Sequence, residues 1–60
     1  MLTIEVLFRN GMDENLIIAG AINQGCYTKH LGNRRWLIRG LSRRDADSIR
    51  EIARFYDEIG

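Results

Sequence analysis

Proline is absent from this 60-residue chain, and cysteine occurs once, as Cys26. A lone cysteine cannot form an internal disulfide. Cys26 and His30, the only histidine, cannot complete a zinc site, which needs three or four protein ligands. We therefore predict no metal, no cofactor and no disulfide framework. The lack of disulfides favours a reducing, cytoplasmic setting.

Long apolar runs are missing as well. The longest one covers residues 16–22 and is much shorter than the roughly 20 residues that cross a bilayer. The first residues lack the basic start of a signal peptide, and Glu5 interrupts their apolar pattern. We predict that the protein has no membrane contact.

Acidic residues are missing from one half of the chain. No acid occurs in residues 15–44, whereas the other half holds all eight acids against three arginines. The formal net charge of +1 therefore hides a basic half and an acidic half. Such a distribution is expected to produce one surface that attracts anions.

What is present is typical of a single small α+β domain over residues 1–60. Hydrophobic residues make up 45% of the chain and charged residues 28%, which argues against disorder. Leu2, Ile4, Val6 and Phe8 alternate with more polar neighbours and predict a half-buried strand.

Residues 12–24 fit two structures. A helix is favoured by Asp13 as its N-cap and by Gly25 just after its end. A strand is favoured by the isoleucines and by the hairpin signal Asn10-Gly11. That hairpin would place the polar Asp13 opposite the core residue Phe8, so we favour the helix.

Residues 26–40 predict a β-hairpin with Gly32-Asn33 as its two-residue loop. In that register Tyr27, Trp36 and Ile38 share the face that joins the core. The other face is then exposed and basic, and carries Cys26, Thr28, His30, Arg35, Leu37 and Arg39.

Residues 41–59 predict a second helix. Ser42 followed by Asp45 resembles a capping box, and one apolar stripe has helical spacing. The stripe consists of Ala46, Ile49, Ile52, Ala53, Tyr56 and Ile59. The predicted order is β-α-β-β-α, with a three-stranded sheet covered on one face by two helices. A four-stranded ββββα fold, with residues 12–24 as a strand, is the alternative.

Seven residues form the predicted binding site. They are Lys29, His30, Arg34, Arg35, Arg39, Arg43 and Arg44. Guanidinium groups match the geometry of phosphate and carboxylate, and the free N–H groups at the start of the second helix would add to an anion site. A polar sheet face that is merely solvated explains the same cluster equally well, since clustered charge is a weak motif.

The apolar segment of the first helix is the second unusual feature. A helix that is apolar all round must be buried all round, so we predict a homodimer or partner contact. The contact would use Leu16, Ile17, Gly20 and Ala21. Long side chains that cover this surface are the alternative.

The preferred function is a non-enzymatic binding module that docks its basic hairpin or sheet face on an anionic macromolecule, most simply a nucleic-acid backbone. The alternative is a small inhibitor or adaptor of the anti-defence, anti-CRISPR-like type that mobile elements encode, acting on an acidic protein surface. A small ribonuclease that uses His30 as general acid or base is a second alternative. No catalytic constellation accompanies His30, so we predict no enzyme.

Overall fold

The computed structural model describes residues 1–59, which form six elements. The elements are β1 (Leu2–Phe8), α1 (Gly11–Asn23), β2 (Tyr27–Gly32), β3 (Arg35–Leu41), α2 (Arg43–Ile52) and β4 (Ala53–Ile59). The α+β class and the two helices are confirmed. The sheet has four strands in the order β2-β3-β1-β4, and neighbouring strands are antiparallel. The strand number therefore follows the four-stranded alternative, although the additional strand is β4.

The strand predicted at the start of the chain lies in the middle of the sheet. β1 pairs with β3 on one side and with β4 on the other. Ile4, Val6 and Phe8 have no exposed surface, because both helices pack over the face that these residues share. The predicted alternation of buried and half-exposed residues is confirmed.

The segment that fitted two structures is a helix. Its N-cap is Asn10, whose Oδ1 accepts a hydrogen bond of 2.8 Å from the backbone N–H of Asp13. The predicted cap at Asp13 is therefore wrong: the helix begins one turn earlier, at Gly11, and Asp13 itself lies in the first turn as the residue whose N–H Asn10 satisfies. The helix ends as predicted before Gly25, whose φ of 83° lies in the left-handed region that favours glycine.

The β2–β3 hairpin is present, but its register differs from the predicted one. The two-residue loop is Asn33-Arg34, with φ angles of 49° and 65°, as a turn with two left-handed central residues requires. A bulge between His30 and Gly32 then adds one residue to β2, Leu31, that has no partner in β3. Tyr27 consequently pairs with Arg39 rather than with Ile38. A slip of one residue moves every β2 side chain to the opposite face of the sheet.

The second helix is shorter than predicted. It begins after Ser42, whose Oγ accepts a hydrogen bond from the Asp45 N–H, and it ends at Ile52. Residues 53–59 continue directly as β4, so the predicted helix to Ile59 is wrong. In this position residues 53–59 pair with the edge of β1 that β3 leaves free, and this pairing supplies hydrogen-bond partners for the backbone N–H and C=O groups of both strands.

The core lies between the sheet and the two helices. Ile4, Val6, Phe8 and Ile38 from the sheet meet Ile18, Ala21, Ala46 and Ile49 from the helices in one cluster. The connections form a split β-α-β arrangement, in which each helix links two strands that are not neighbours in the sheet. This architecture supports many unrelated functions, so function has to be argued from the surface. Neither helix in residues 1–59 has the length and apolarity that crossing a membrane requires.

Candidate functional site

One face of the sheet faces away from both helices, and we name it the open face. Three rows of paired residues cross it. They are Arg54, Leu7, Arg35 and Gly32 in the first row, Asp57, Glu5, Leu37 and Lys29 in the second, and Ile59, Thr3, Arg39 and Tyr27 in the third. Tyr56 is the extra residue of a bulge in β4 and projects to the same side. The open face is defined by these thirteen residues.

Positive charge dominates the open face. Lys29, Arg35, Arg39 and Arg54 lie on it, and its two acids are Glu5 and Asp57. The Nε of Arg35 donates a hydrogen bond of 2.7 Å to Glu5 Oε2, so one cation is held by the chain's own carboxylate. Among the described residues the other three cations have no carboxylate within salt-bridge distance.

Two tyrosines stand on the open face, one on each edge strand. Tyr27 of β2 is 52% exposed and Tyr56 of β4 is 47% exposed. The guanidinium carbon of Arg39 lies 5.5 Å from the centre of the Tyr27 ring. Those of Arg35 and Arg54 lie 4.3 and 5.7 Å from the centre of the Tyr56 ring. The open face therefore combines cations with accessible aromatic rings.

The predicted site residues fall into two groups. Lys29, Arg35 and Arg39 are together on the open face, and Arg34 lies in the adjoining hairpin loop, where its Nε donates to the Phe8 carbonyl at 3.2 Å. The remaining three, His30, Arg43 and Arg44, lie on the side of the helices. The expected grouping of His30 with Arg35 and Arg39 is therefore wrong, because the register of β2 is shifted by one residue.

His30 belongs to a small polar cluster between β2, β3 and α1. Its ring stacks on Trp36 with 4.7 Å between ring centroids. The Nε1 of Trp36 donates a hydrogen bond of 2.7 Å to Glu14 Oε2, and His30 Nε2 lies 3.9 Å from the same oxygen. Trp36 packs against the core as predicted, but it is only half-buried. The predicted burial of Tyr27 is wrong.

A second ion cluster joins α2 to β4. Glu58 Oε2 accepts a hydrogen bond of 2.9 Å from Arg43, and Oε1 accepts one of 2.7 Å from Arg50. These hydrogen bonds, with Arg43 contributing most, hold the pKa of Glu58 below its usual value. Arg43 is thus engaged by the protein's own carboxylates, because it also lies 3.7 Å from Asp47.

The apolar surface of α1 is partly uncovered, as predicted. Leu16 is 70% exposed and Ile17 is half-buried, whereas Ala21 is 6% exposed. Together with Gly20 they line one side of a groove whose other side is formed by Leu41 and α2. The groove has a volume of about 140 Å³, close to that of cavities of ~150 Å³ that hold one benzene ring.

The open face also holds three residues that were not predicted from the sequence, namely Tyr27, Tyr56 and Arg54. For Arg54 and Tyr56 the available signal is the alternation of residues 53–59, in which Ala53 and Phe55 face the core and Arg54 does not. The apolar residues of this segment also fit a helical period, so the alternation alone does not distinguish a strand from a helix. For Tyr27 the missing information is the bulge between His30 and Gly32, which reverses the faces of β2.

Within residues 1–59, His, Cys, Asp and Glu side chains form no group of three that could hold a metal ion.

No protein-family model matches the chain, and neither a curated protein nor a solved structure matches it. The function therefore has to be inferred from the open face itself.

Proposed function

We propose that the protein is a non-enzymatic binding module whose open face docks on the phosphate backbone of a nucleic acid. The observation that carries the proposal is the shared position of Lys29, Arg35, Arg39 and Arg54 on a sheet face without a covering helix. Arginine presents donors in a fork that fits phosphate oxygens. Phosphate contacts of this kind supply most of the affinity of sequence-independent binding.

The distribution of acids supports one docking orientation. Both helices and the adjoining Glu58 carry six of the eight acids, which are Asp13, Glu14, Asp45, Asp47, Glu51 and Glu58. A polyanion is repelled by that side of the molecule and attracted by the open face. Electrostatic steering of this kind raises the rate of productive encounter.

Three other predicted site residues lie beside the open face or away from it. Arg34 flanks the first row of the open face and extends it at the loop. Arg43 and Arg44 lie on α2, so they reach the same nucleic acid only if it continues past the edge of the sheet. We propose the four open-face cations as the main contacts. A cytoplasmic setting remains a prediction from the single cysteine.

The test is a binding titration with mixed-sequence RNA and DNA at several salt concentrations. If all four cations contact phosphates of a single strand, log K falls with log salt with a slope of about −3, because each contact contributes roughly 0.7. Arg39→Gln should weaken binding and make the slope about 0.7 less steep. Arg50→Gln removes the same charge from α2 and serves as the matched control. Equal losses in the two variants would contradict docking on the open face.

A protein-binding inhibitor or adaptor is the second candidate function. The exposed Met12 and Leu16 of α1, together with the groove between the helices, favour it. Tyrosine and arginine, which are abundant on the open face, are also frequent at the centres of protein interfaces. Affinity for an acidic protein that persists at high salt, with no binding to nucleic acid, would support this candidate.

The homodimer prediction is tested by the mass of the free protein at two concentrations. If two copies associate through α1, the mass rises with concentration and Leu16→Gln abolishes the increase.

The ribonuclease alternative is tested by His30→Ala, which must abolish RNA cleavage if the imidazole is the acid or base. His30 lies on the side of the sheet opposite to Arg35, so that alternative gains no phosphate-stabilising arginine from the open face.

A further inference from the structure

We infer that the open face takes single-stranded rather than duplex nucleic acid, with unpaired bases stacked on Tyr27 and Tyr56. The inference rests on the proposed function and specifies its ligand class. Three observations support it: the width of the face, the separation of the two rings, and the guanidinium groups beside each ring.

The open face is too wide to enter a duplex groove. Its four strands span about 14 Å between the axes of the edge strands, since neighbouring strands lie roughly 4.8 Å apart. The major groove of B-DNA is about 12 Å wide and admits a helix or a two-stranded ribbon. A duplex could therefore touch the open face only along its outer phosphates. It would leave the tyrosines without a function.

The two rings are too far apart for adjacent bases of a helical strand. Tyr27 and Tyr56 lie on opposite edge strands, so about 14 Å of sheet separates their backbones. Stacked bases of a duplex follow each other every 3.4 Å or so. Bases on the two rings are therefore not adjacent, and each stacks on a tyrosine ring in place of a neighbouring base, which an unpaired, locally unstacked strand permits. The nucleotides between them would lie over Leu7 and Leu37, which are half-exposed in the middle of the face.

Each ring has at least one guanidinium group next to it. Arg39 stands beside Tyr27, and Arg35 stands over Tyr56, held there by Glu5. This pairing suits a nucleotide, because its base has a π-face for the ring and its phosphate accepts hydrogen bonds from the guanidinium group. Arginine planes themselves also stack on bases. Both halves of a nucleotide thus have a partner at each tyrosine.

The experiment compares fluorescence anisotropy titrations of labelled oligonucleotides at one salt concentration. The probes are a mixed-sequence strand of about 12 nucleotides, within the range of known single-strand sites, as RNA, as DNA, and as the matching DNA duplex. The variants are Tyr27→Leu and Tyr56→Leu, which keep apolar bulk but remove the ring, and Tyr27→Phe, which keeps it. Phe55→Leu removes a ring from the side of β4 that faces the helices and is the matched control.

We expect the wild type to prefer single strands. Each Tyr→Leu change should weaken single-strand binding between about 5-fold and 160-fold, as loss of base–aromatic stacking does. Duplex binding should stay unchanged, and Tyr27→Phe should retain single-strand affinity. Both tyrosines are about half exposed, so the variants are expected to fold, which a thermal unfolding curve checks. The RNA and DNA arms identify which strand is preferred.

The failure of this inference is distinguishable from the failure of the proposed function. Equal affinity for strand and duplex, with no effect of Tyr→Leu and a clear effect of Arg39→Gln on both, would overturn the inference and leave the proposed function standing. Absence of binding to every probe would overturn both.

Discussion

The two sides of this small sheet differ in charge, in composition and in what they contact. The open face has four cations, two acids and two half-exposed tyrosines. The opposite side buries Ile4, Val6, Phe8 and Ile38 under two helices that carry most of the acids. The hydrophobic core therefore lies on one side of the sheet, and the surface available for a partner lies on the other.

The difference follows from the two-residue period of a strand. Neighbouring residues of β3 point to opposite sides, so Ile38 is fully buried while Leu37 is half-exposed on the open face. Substitutions at adjacent positions should therefore separate stability from binding.

The largest expected effect comes from the pair Ile38→Ala and Leu37→Ala. Removal of the buried Ile38 side chain should lower the free energy of unfolding by about 2–5 kcal/mol, a large fraction of the ~3–9 kcal/mol expected for this chain length. Leu37→Ala should cost about 1 kcal/mol or less, because its side chain already contacts water. Urea unfolding followed by the fluorescence of Trp36 measures both.

A similar loss in the two variants would mean that the open face is covered in solution. The same titrations at two protein concentrations would then show whether a second copy covers it, because the stability of an oligomer depends on concentration.

A smaller effect is expected from Glu5→Gln on the open face. The change removes an acid and releases Arg35, whose Nε now donates to Glu5. Nucleic-acid affinity should rise by at most about fivefold, since exposed ion pairs are worth roughly 0.2–1 kcal/mol. Glu51→Gln makes the same charge change on α2 and should leave affinity unaltered. An equal rise in both variants would show that net charge, not the open face, governs binding.

The smallest effect concerns the ion cluster on the side of the helices. Hydrogen bonds from Arg43 and then Arg50 lower the pKa of Glu58 in the folded protein. Glu58 therefore contributes stability above the pKa of glutamate in the unfolded chain, and the contribution is lost as pH falls through the lower folded pKa. Urea midpoints between about pH 5 and 3 should decline less steeply in Glu58→Gln than in the wild type.

Glu51→Gln is again the control, and it should keep the slope of the wild type. An unchanged slope in Glu58→Gln would mean that the hydrogen bonds to Arg43 and Arg50 do not persist in solution. The binding titrations should be insensitive to both changes, because neither residue belongs to the open face.

Much of the fold could be predicted because it depends on local patterns. The alternation of β1, the cap at Ser42 and the left-handed Gly25 each involve residues within one turn or one strand. The end of α2 could not be predicted in the same way. Residues 53–59 become a strand because β1 has a free edge, and that edge lies some fifty residues earlier in the sequence.

Part of the candidate site could also be predicted. Lys29, Arg35 and Arg39 come from the acid-free half of the chain, and the structure places them together. Tyr27 was assigned to the core and His30 to the basic face, and both assignments were reversed by the bulge after His30. The bulge adds one residue to β2 without one in β3, and such a one-residue shift reverses the face of every β2 side chain beyond it.

The sequence by itself determined the charge division, the first strand, the end of α1 before Gly25, the start of α2 at Ser42 and the presence of a hairpin. These features arise from interactions between residues close along the chain. Only the tertiary structure decided the hairpin register, the conversion of residues 53–59 into β4, and the union of Tyr27, Tyr56 and Arg54 with the basic residues. These features depend on hydrogen-bond pairing between strands. Several registers and strand partners fit the same local sequence pattern, so the pattern alone does not choose among them.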